Sequence, residues 1–448
     1  MNDKTSSPIQ DVELHQLEST LEHARQGEDQ QEITVSLTKL GQYYLNNGDA
    51  PKGLTQFEEA IELLEDGNNQ EGLARLWGLK GMALQTIGNF DQAMAAFRKS
   101  NRFARDIENQ TLICDSLIRI GMLQAETGEL TKAISKLEQA YAIAVAQDDQ
   151  PRRLHIDTIL GGYFARLEST EKAFEYFLDG LQTARSAKDQ AATCNFLISL
   201  GNVLLLDREF EGALERYEEA LDIASSIENP GAEISALEGL LHGNIGAGKS
   251  SLAKIYADQL IQLAQTQQKP EAEILAVDII SAMYLENNQE QKALPYLEKG
   301  LEIARQKKDN DWELAFLMRM AFAFFNLEDL TKAQANYEEA LELAVRIQDI
   351  EAEAQVLGRL SAVHADKGEF KKAIEIGQKA LKQAHESENI ELVGEQQLLM
   401  ALAQRDMGNL KKALQYSKDA STTFSTINDQ DKKNLAEVLL EELLQNDT

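Results

Sequence analysis

The chain has 448 residues, too many for one hydrophobic core, so it is either two or three globular domains or a repeat array that grows without a central core. Its hydrophobic content of 43% with 6 Pro and 6% aromatic residues suits long helices and argues against a β-sandwich, and no apolar run is long enough to span a bilayer. A net charge of −30 repels nucleic-acid backbones and anionic membrane surfaces, so neither is an expected partner.

The first ten residues, MNDKTSSPIQ, are polar and are expected to be a disordered terminus. The start of the chain lacks the cationic and apolar regions of a signal peptide, which makes the cytoplasm the expected location. Residues 11–30 read as half a repeat: a helix from Asp11 to Arg25 carries Val12, Leu14, Leu17, Leu21 and Ala24 at helical spacing. Its ending, LEHARQGEDQ, resembles LQTARSAKDQ at 181–190 and LEIARQKKDN at 301–310.

Ten units of 40 residues follow across 31–430. One column reads Gly41, Gly81, Gly121, Gly161, Gly201, Leu241, Ser281, Ala321, Ser361 and Ala401, small in every unit but the sixth. Twelve residues later a second column holds Gly53 and then Ala93, Ala133, Ala173, Ala213, Ala253, Ala293, Ala333, Ala373 and Ala413. Small side chains at both columns let paired helices approach closely. A third column, four residues on, is large at Phe57, Phe97, Leu137, Phe177, Tyr217, Leu297 and Tyr337, and small at Ala257, Gly377 and Ser417. Gly48, Gly88, Gly128, Gly248, Gly368 and Gly408 fall between the two helices of their units, where a left-handed residue can end a helix. Each unit is therefore an antiparallel pair of helices of about 15–17 residues, which cannot bury its apolar stripe alone and must stack on its neighbours. Residues 431–448 read as a capping helix, with Leu435, Val438, Leu439 and Leu443 on one face. Cys114 and Cys194 lie 80 residues apart in non-adjacent units and read as reduced core thiols rather than a disulfide.

These residues resemble the tetratricopeptide repeat. Leu197, Leu200, Gly201, Leu204, Ala213 and Tyr217 match its pattern, and Trp77, Gly81, Ala93 and Phe97 match it in part. The 40-residue period is similar to the long-helix subclass seen in cell-polarity scaffolds and bacterial peptide-sensing regulators. The resemblance implies an all-α, right-handed α-solenoid of antiparallel helix pairs. It also implies a non-enzymatic scaffold or adaptor, with no cofactor, that takes a protein or peptide in a concave groove lined by the first helix of each pair. A regulator that senses a peptide by changing its superhelical pitch is the alternative.

By that resemblance the groove positions of the middle units include Asp115, His155, Arg166, Asn195, Asn202 and His242. Asn195 and Asn202 share a helix face, and each amide can donate and accept at once. Ile198 stands where a carboxylate-clamping relative has Lys, which argues against that mode of binding. In the eighth unit Met318, Phe322 and Phe325 fall on groove positions, while Trp312, Phe316 and Phe324 are placed for the core. Ala282, Gly358, Ala362 and Ala365 flank them, so the aromatic residues either pack into small neighbours or form an open apolar socket.

Gly243 to Ser250, GNIGAGKS, matches the phosphate-loop pattern, but it lies at the end of a first helix and has no strand before it. A nucleotide-hydrolysing enzyme is accordingly the least favoured reading. Gly231, Gly239, Gly243, Gly246 and Leu241 mark the sixth unit as a local irregularity, or else as a hinge or a floor under a ligand backbone. The six histidines include no pair at metal-ligand spacing, and the acidic pairs Glu58-Glu59, Glu218-Glu219 and Glu338-Glu339 read as a solvated outer face.

Overall fold

A computed structural model describes residues 8–65, 67 and 69–446, and among them it holds 22 helices and no strand. Two compact units divide the chain, Met1–Glu233 and Ile234–Thr448. The first contains α1 (Pro8–Gln26), α2 (Gln30–Asn46), α3 (Ala50–Glu65), α4 (Gln70–Thr86), α5 (Phe90–Asp106) and α6 (Gln110–Glu126). It continues through α7 (Leu130–Ala146), α8 (Gln150–Arg166), α9 (Thr170–Ser186), α10 (Gln190–Leu206) and α11 (Phe210–Ser226). The division falls inside α12 (Pro230–Gly246). The second unit then has α13 (Ser250–Thr266), α14 (Pro270–Glu286), α15 (Glu290–Lys307), α16 (Asn310–Asn326) and α17 (Leu330–Ile347). It closes with α18 (Ile350–Asp366), α19 (Phe370–Glu386), α20 (Ile390–Asp406), α21 (Leu410–Thr426) and α22 (Gln430–Asn446). Of the polar segment 1–10, residues 1–7 lie outside the described residues, and Pro8 to Gln10 begin α1.

From α2 onward a helix starts every 20 residues, so at the level of the backbone the 40-residue unit is two copies of one helix and one turn. Each turn whose residues are all described holds a left-handed residue. Gly48, Gly88, Gly128, Gly248, Gly368 and Gly408 have φ between 71° and 85°, and a side chain there would meet open space. Fourteen non-glycine residues take the same conformation, among them Glu108, Asp148, Lys188, Glu228 and Gln348. The exposed turn tolerates them because the closing hydrogen bonds are kept: Glu108 N–H donates to Arg105 O and Asn109 N–H donates to Ala104 O, both at 3.0 Å. The residue after the left-handed one is often Asp or Asn, and it caps the next helix. Asp29, Asn109, Asp189, Asp309 and Asn389 each accept from a backbone N–H of the first turn, a contact worth about 1 kcal/mol.

The first and third columns are one device. A Cβ on Gly81 would lie 2.4 Å from the Phe97 ring, on Gly161 2.4 Å from Phe177, and on Gly201 2.7 Å from Tyr217. The glycine makes room for a large side chain sixteen residues on, in the partner helix. In the sixth unit the order is reversed: Leu241 is large where Ala257, sixteen residues on, is small, and both are fully buried. The missing small residue is thus a volume-conserving exchange within one layer. At Gly377 the space is filled from the next helix, because a Cβ there would lie 2.4 Å from Met400 Sδ. The same offset recurs between units, where Phe196 rests on Gly180 and Phe316 on Gly300, each 2.4 Å from the missing Cβ.

The recurring LEHAR, LQTAR and LEIAR endings bridge one layer to the next. Arg25 pairs with Glu59 at 2.5 Å, Arg185 with Glu219 at 2.5 Å, and Arg305 with Glu339. All six side chains are exposed, so each pair contributes at most about 1 kcal/mol. Cys114 and Cys194 are free and buried, 3.4 and 3.3 Å from the carbonyl oxygens of Ala140 and Ala220, and burial pushes the Cys114 thiol up to about 11.

Candidate binding surface on the first helices

Within the first unit α2, α4 and α6 touch in succession, as do α8 and α10, and within the second α18 touches α20. Their partner helices do not approach one another in this way among the described residues. Along α2, α4 and α6, α8 and α10, and α18 and α20 the first helices are therefore the closer-packed row.

On the first helices of the first unit a cavity of about 510 Å³ is lined by Asp115, Ile118, Arg119, Met122, Arg152 and His155. A second, of about 240 Å³, lies between α2, α4 and α6 and shares Asp115 and Arg119. Asp115 is already committed, because Arg152 donates to both its oxygens, at 2.7 and 3.0 Å, and to Asp149 at 2.5 Å. These bonds raise the Arg152 pKa. Arg119, which the sequence did not single out, is half-buried and makes no salt bridge among the described residues, and burial lowers its pKa. Burial and the Arg119 charge also lower the pKa of His155, which keeps its ring neutral at pH 7.

Arg166 is exposed at the end of α8, outside this cavity. Asn195 and Asn202 are both exposed on α10, but Asn202 Oδ1 accepts from the Tyr217 hydroxyl at 2.6 Å. That leaves Asn202 its amide N–H groups to offer. His242 is exposed on α12, and desolvation lowers its pKa.

In the second unit Met318, Phe322 and Phe325 stand on α16. Phe316 and Phe324 are 0% and 8% exposed, whereas Phe322 is 36% exposed and Met318 and Phe325 are half-buried. Trp312 stacks on Phe316 with ring centroids 5.6 Å apart. Met318 lines a cavity of about 500 Å³ with Arg359, Leu398, Leu399, Phe424 and Leu435. The small residue Gly358 takes no aromatic ring, since a Cβ there would lie 2.2 Å from Gln396 Oε1.

Residues 243–250 form the end of α12, the turn with Gly248 at φ +71°, and the first residue of α13. A helix stands where a phosphate loop needs a strand, so the segment has the turn geometry of the other units.

Two family models, each described as tetratricopeptide repeat, match the chain at residues 74–106 and 312–386. The chain carries tetratricopeptide repeats. Curated relatives of the repeat protein include outer dynein arm-docking complex subunit 4 from Homo sapiens, 28% identical over 208 residues, and from Xenopus laevis, 24% identical over 216 residues. The matches cover 45% and 47% of this chain but only 30% and 40% of those relatives, less than half their length. Among solved structures the apo form of RapI is similar in fold, with a TM-score of 0.55 at 14% identity over 84% of this chain and 99% of that one. The repeat protein is accordingly an all-α solenoid, and among its described residues no helix is long and apolar enough to cross a membrane.

Proposed function

We propose that the protein is a non-enzymatic scaffold that binds a protein or peptide segment on its first-helix faces. The observation that carries this is Phe322. An aromatic side chain on the first helix α16, 36% exposed beside the cavity at Met318, costs apolar hydration that its buried neighbours Phe316 and Phe324 avoid. A partner helix or strand that covers it recovers that cost. Met318, Phe322 and Phe325 are the proposed apolar anchors in the second unit, with His242 on α12. In the first unit Asp115, His155, Arg166, Asn195 and Asn202 are the proposed polar contacts. Two curated relatives are named as subunits of a docking complex, which supports an assembly role over a catalytic one. The net charge of −30 favours a protein partner over nucleic acid or a membrane, and we place the protein in the cytoplasm with no cofactor.

The test is quantitative affinity capture from native lysate with the wild-type protein and with Phe322→Ala plus Phe325→Ala, the two matched for thermal stability. The expected result is a defined set of proteins captured by the wild type and lost from the variant. Identical captured sets would refute the anchoring role of α16.

A further inference from the structure

A cavity of about 440 Å³ between α7, α8 and α9 is lined mainly by second helices, away from the first-helix faces, and its wall includes Glu138, Tyr141, Phe164, Lys172, Glu175 and Tyr176. Its rings form one cluster. Phe164 stacks on Tyr176 at 5.6 Å between centroids, and Tyr141 meets Tyr176 edge-on at 5.8 Å.

The same side-chain trio occurs at three places 120 residues apart: Glu18, Tyr44 and Lys52; Glu138, Phe164 and Lys172; Asp258, Tyr284 and Lys292. In each the lysine ammonium lies over the aromatic ring, at 5.2, 5.0 and 5.8 Å from the centroid. The carboxylate differs in what satisfies it. Glu18 accepts from the Tyr44 hydroxyl at 3.2 Å. Asp258 accepts from the Tyr296 hydroxyl at 2.9 Å and pairs with the Lys254 ammonium at 2.5 Å. In the middle copy Phe164 has no hydroxyl to give, and Ile134 stands at the position of Lys254. Among the described residues Glu138 makes no hydrogen bond or ion pair, and neither does its neighbour across the cavity, Glu175. Behind the wall Asp157 is fully buried with both carboxylate oxygens unpartnered, but burial pushes its pKa up to about 8, so at pH 7 it is neutral and the counter-charge of the cavity lies on its wall.

We propose that this cavity binds the ammonium of a lysine side chain from a partner protein, in the place that Lys254 fills beside Asp258. Glu138 and Glu175 supply the counter-charge and Tyr141 and Tyr176 the aromatic wall, while the Phe164 ring already carries the Lys172 ammonium. The internal copy at Lys254 shows that a lysine ammonium is compatible with this arrangement of carboxylate and tyrosine. The site is independent of the first-helix reading, because its residues do not belong to that face.

The probe is n-butylammonium, followed by NMR shifts of the Tyr141 and Tyr176 rings in the full-length protein, with n-pentanol as the neutral control. Saturable shifts with the amine and none with the alcohol are expected. Glu138→Gln should weaken binding at least tenfold, while the exposed pair Glu215→Gln plus Glu218→Gln on α11 removes more charge and should leave it unchanged. Ile134→Lys should abolish binding, since the chain then supplies its own ammonium. Equal weakening by Glu138→Gln and the α11 pair would overturn the proposal, and so would wild-type affinity in Ile134→Lys. The blocked tripeptide acetyl-Gly-Lys-Gly-amide should bind at least as tightly as the amine. Spermidine binding tenfold tighter than the tripeptide would overturn the assignment to a lysine side chain.

Discussion

Asp157 offers a sharp test of how these repeats are held together. It occupies a column that is Leu at 37, 117, 197, 237, 317 and 357, yet it is a carboxyl at 0% exposure with neither oxygen hydrogen-bonded. The groups that face it are Tyr141 from α7, Arg153 on α8, and Tyr176 and Asp179 from α9, and α10 carries no charged residue. Burial, with the Asp179 charge added, pushes its pKa from 3.8 up to about 8, only partly offset by Arg153. Between those values the folded chain holds a proton that the unfolded chain has lost. Its contribution to stability therefore falls as pH rises, by about 1.4 kcal/mol per unit, and levels off above pH 8. Asp157→Leu removes a buried polar group worth about 1–3 kcal/mol when unsatisfied and restores the apolar column. The variant should be more stable than wild type by about 2–4 kcal/mol at pH 7 and by about 2–3 kcal/mol less than that at pH 5. Urea unfolding followed by Trp77 emission in a Trp312→Phe background reads the first unit. A variant no more stable than wild type at pH 7, or a difference that does not change between pH 5 and pH 7, would refute the reasoning.

Other consequences follow from the packing columns. Gly81→Ala should destabilise by about 1–3 kcal/mol, because its Cβ would meet the Phe97 ring at 2.4 Å, and Phe97→Leu added to it should restore part of the loss in thermal melts. Leu241→Ala should cost about 2–4 kcal/mol, the ordinary value for a core cavity, whereas Leu241→Gly with Ala257→Phe recreates the order of the other units and should cost less than Leu241→Ala alone. Lys249→Ala should leave isothermal titration with ATP and Mg²⁺ unchanged, with no saturable binding in either protein, since a helix precedes the turn.

How far the sequence spoke can be judged from particular residues. The glycine and alanine columns and the turn glycines were legible because their cause is local: a missing Cβ admits a ring or permits a positive φ. Leu241 read as an anomaly because its compensation, Ala257, sits in another helix, and although the column spacing gives the sixteen-residue offset, only the packed structure shows that the third-column side chain fills the space the first column leaves. The 20-residue backbone period was hidden because Glu, Lys, Gln and Asp residues share the left-handed turns with Gly. Exposed turns impose no composition. The first-helix positions were read from the family pattern, but the state of each side chain was not: nothing in the sequence shows that Arg152 engages Asp115 or that Tyr217 engages Asn202. Glu138 could have been found, since the trio recurs every 120 residues, but its missing partner is visible only beside the satisfied copies.

The central claim is that a partner lies on the first helices. Site-specific photo-crosslinking tests it most directly, with p-benzoylphenylalanine placed either at Phe322, exposed on the first helix α16, or at Glu342, exposed on the second helix α17. Crosslinked adducts of defined mass in cells from position 322 and none from position 342 are predicted, and adducts from 342 in place of 322 would contradict the account.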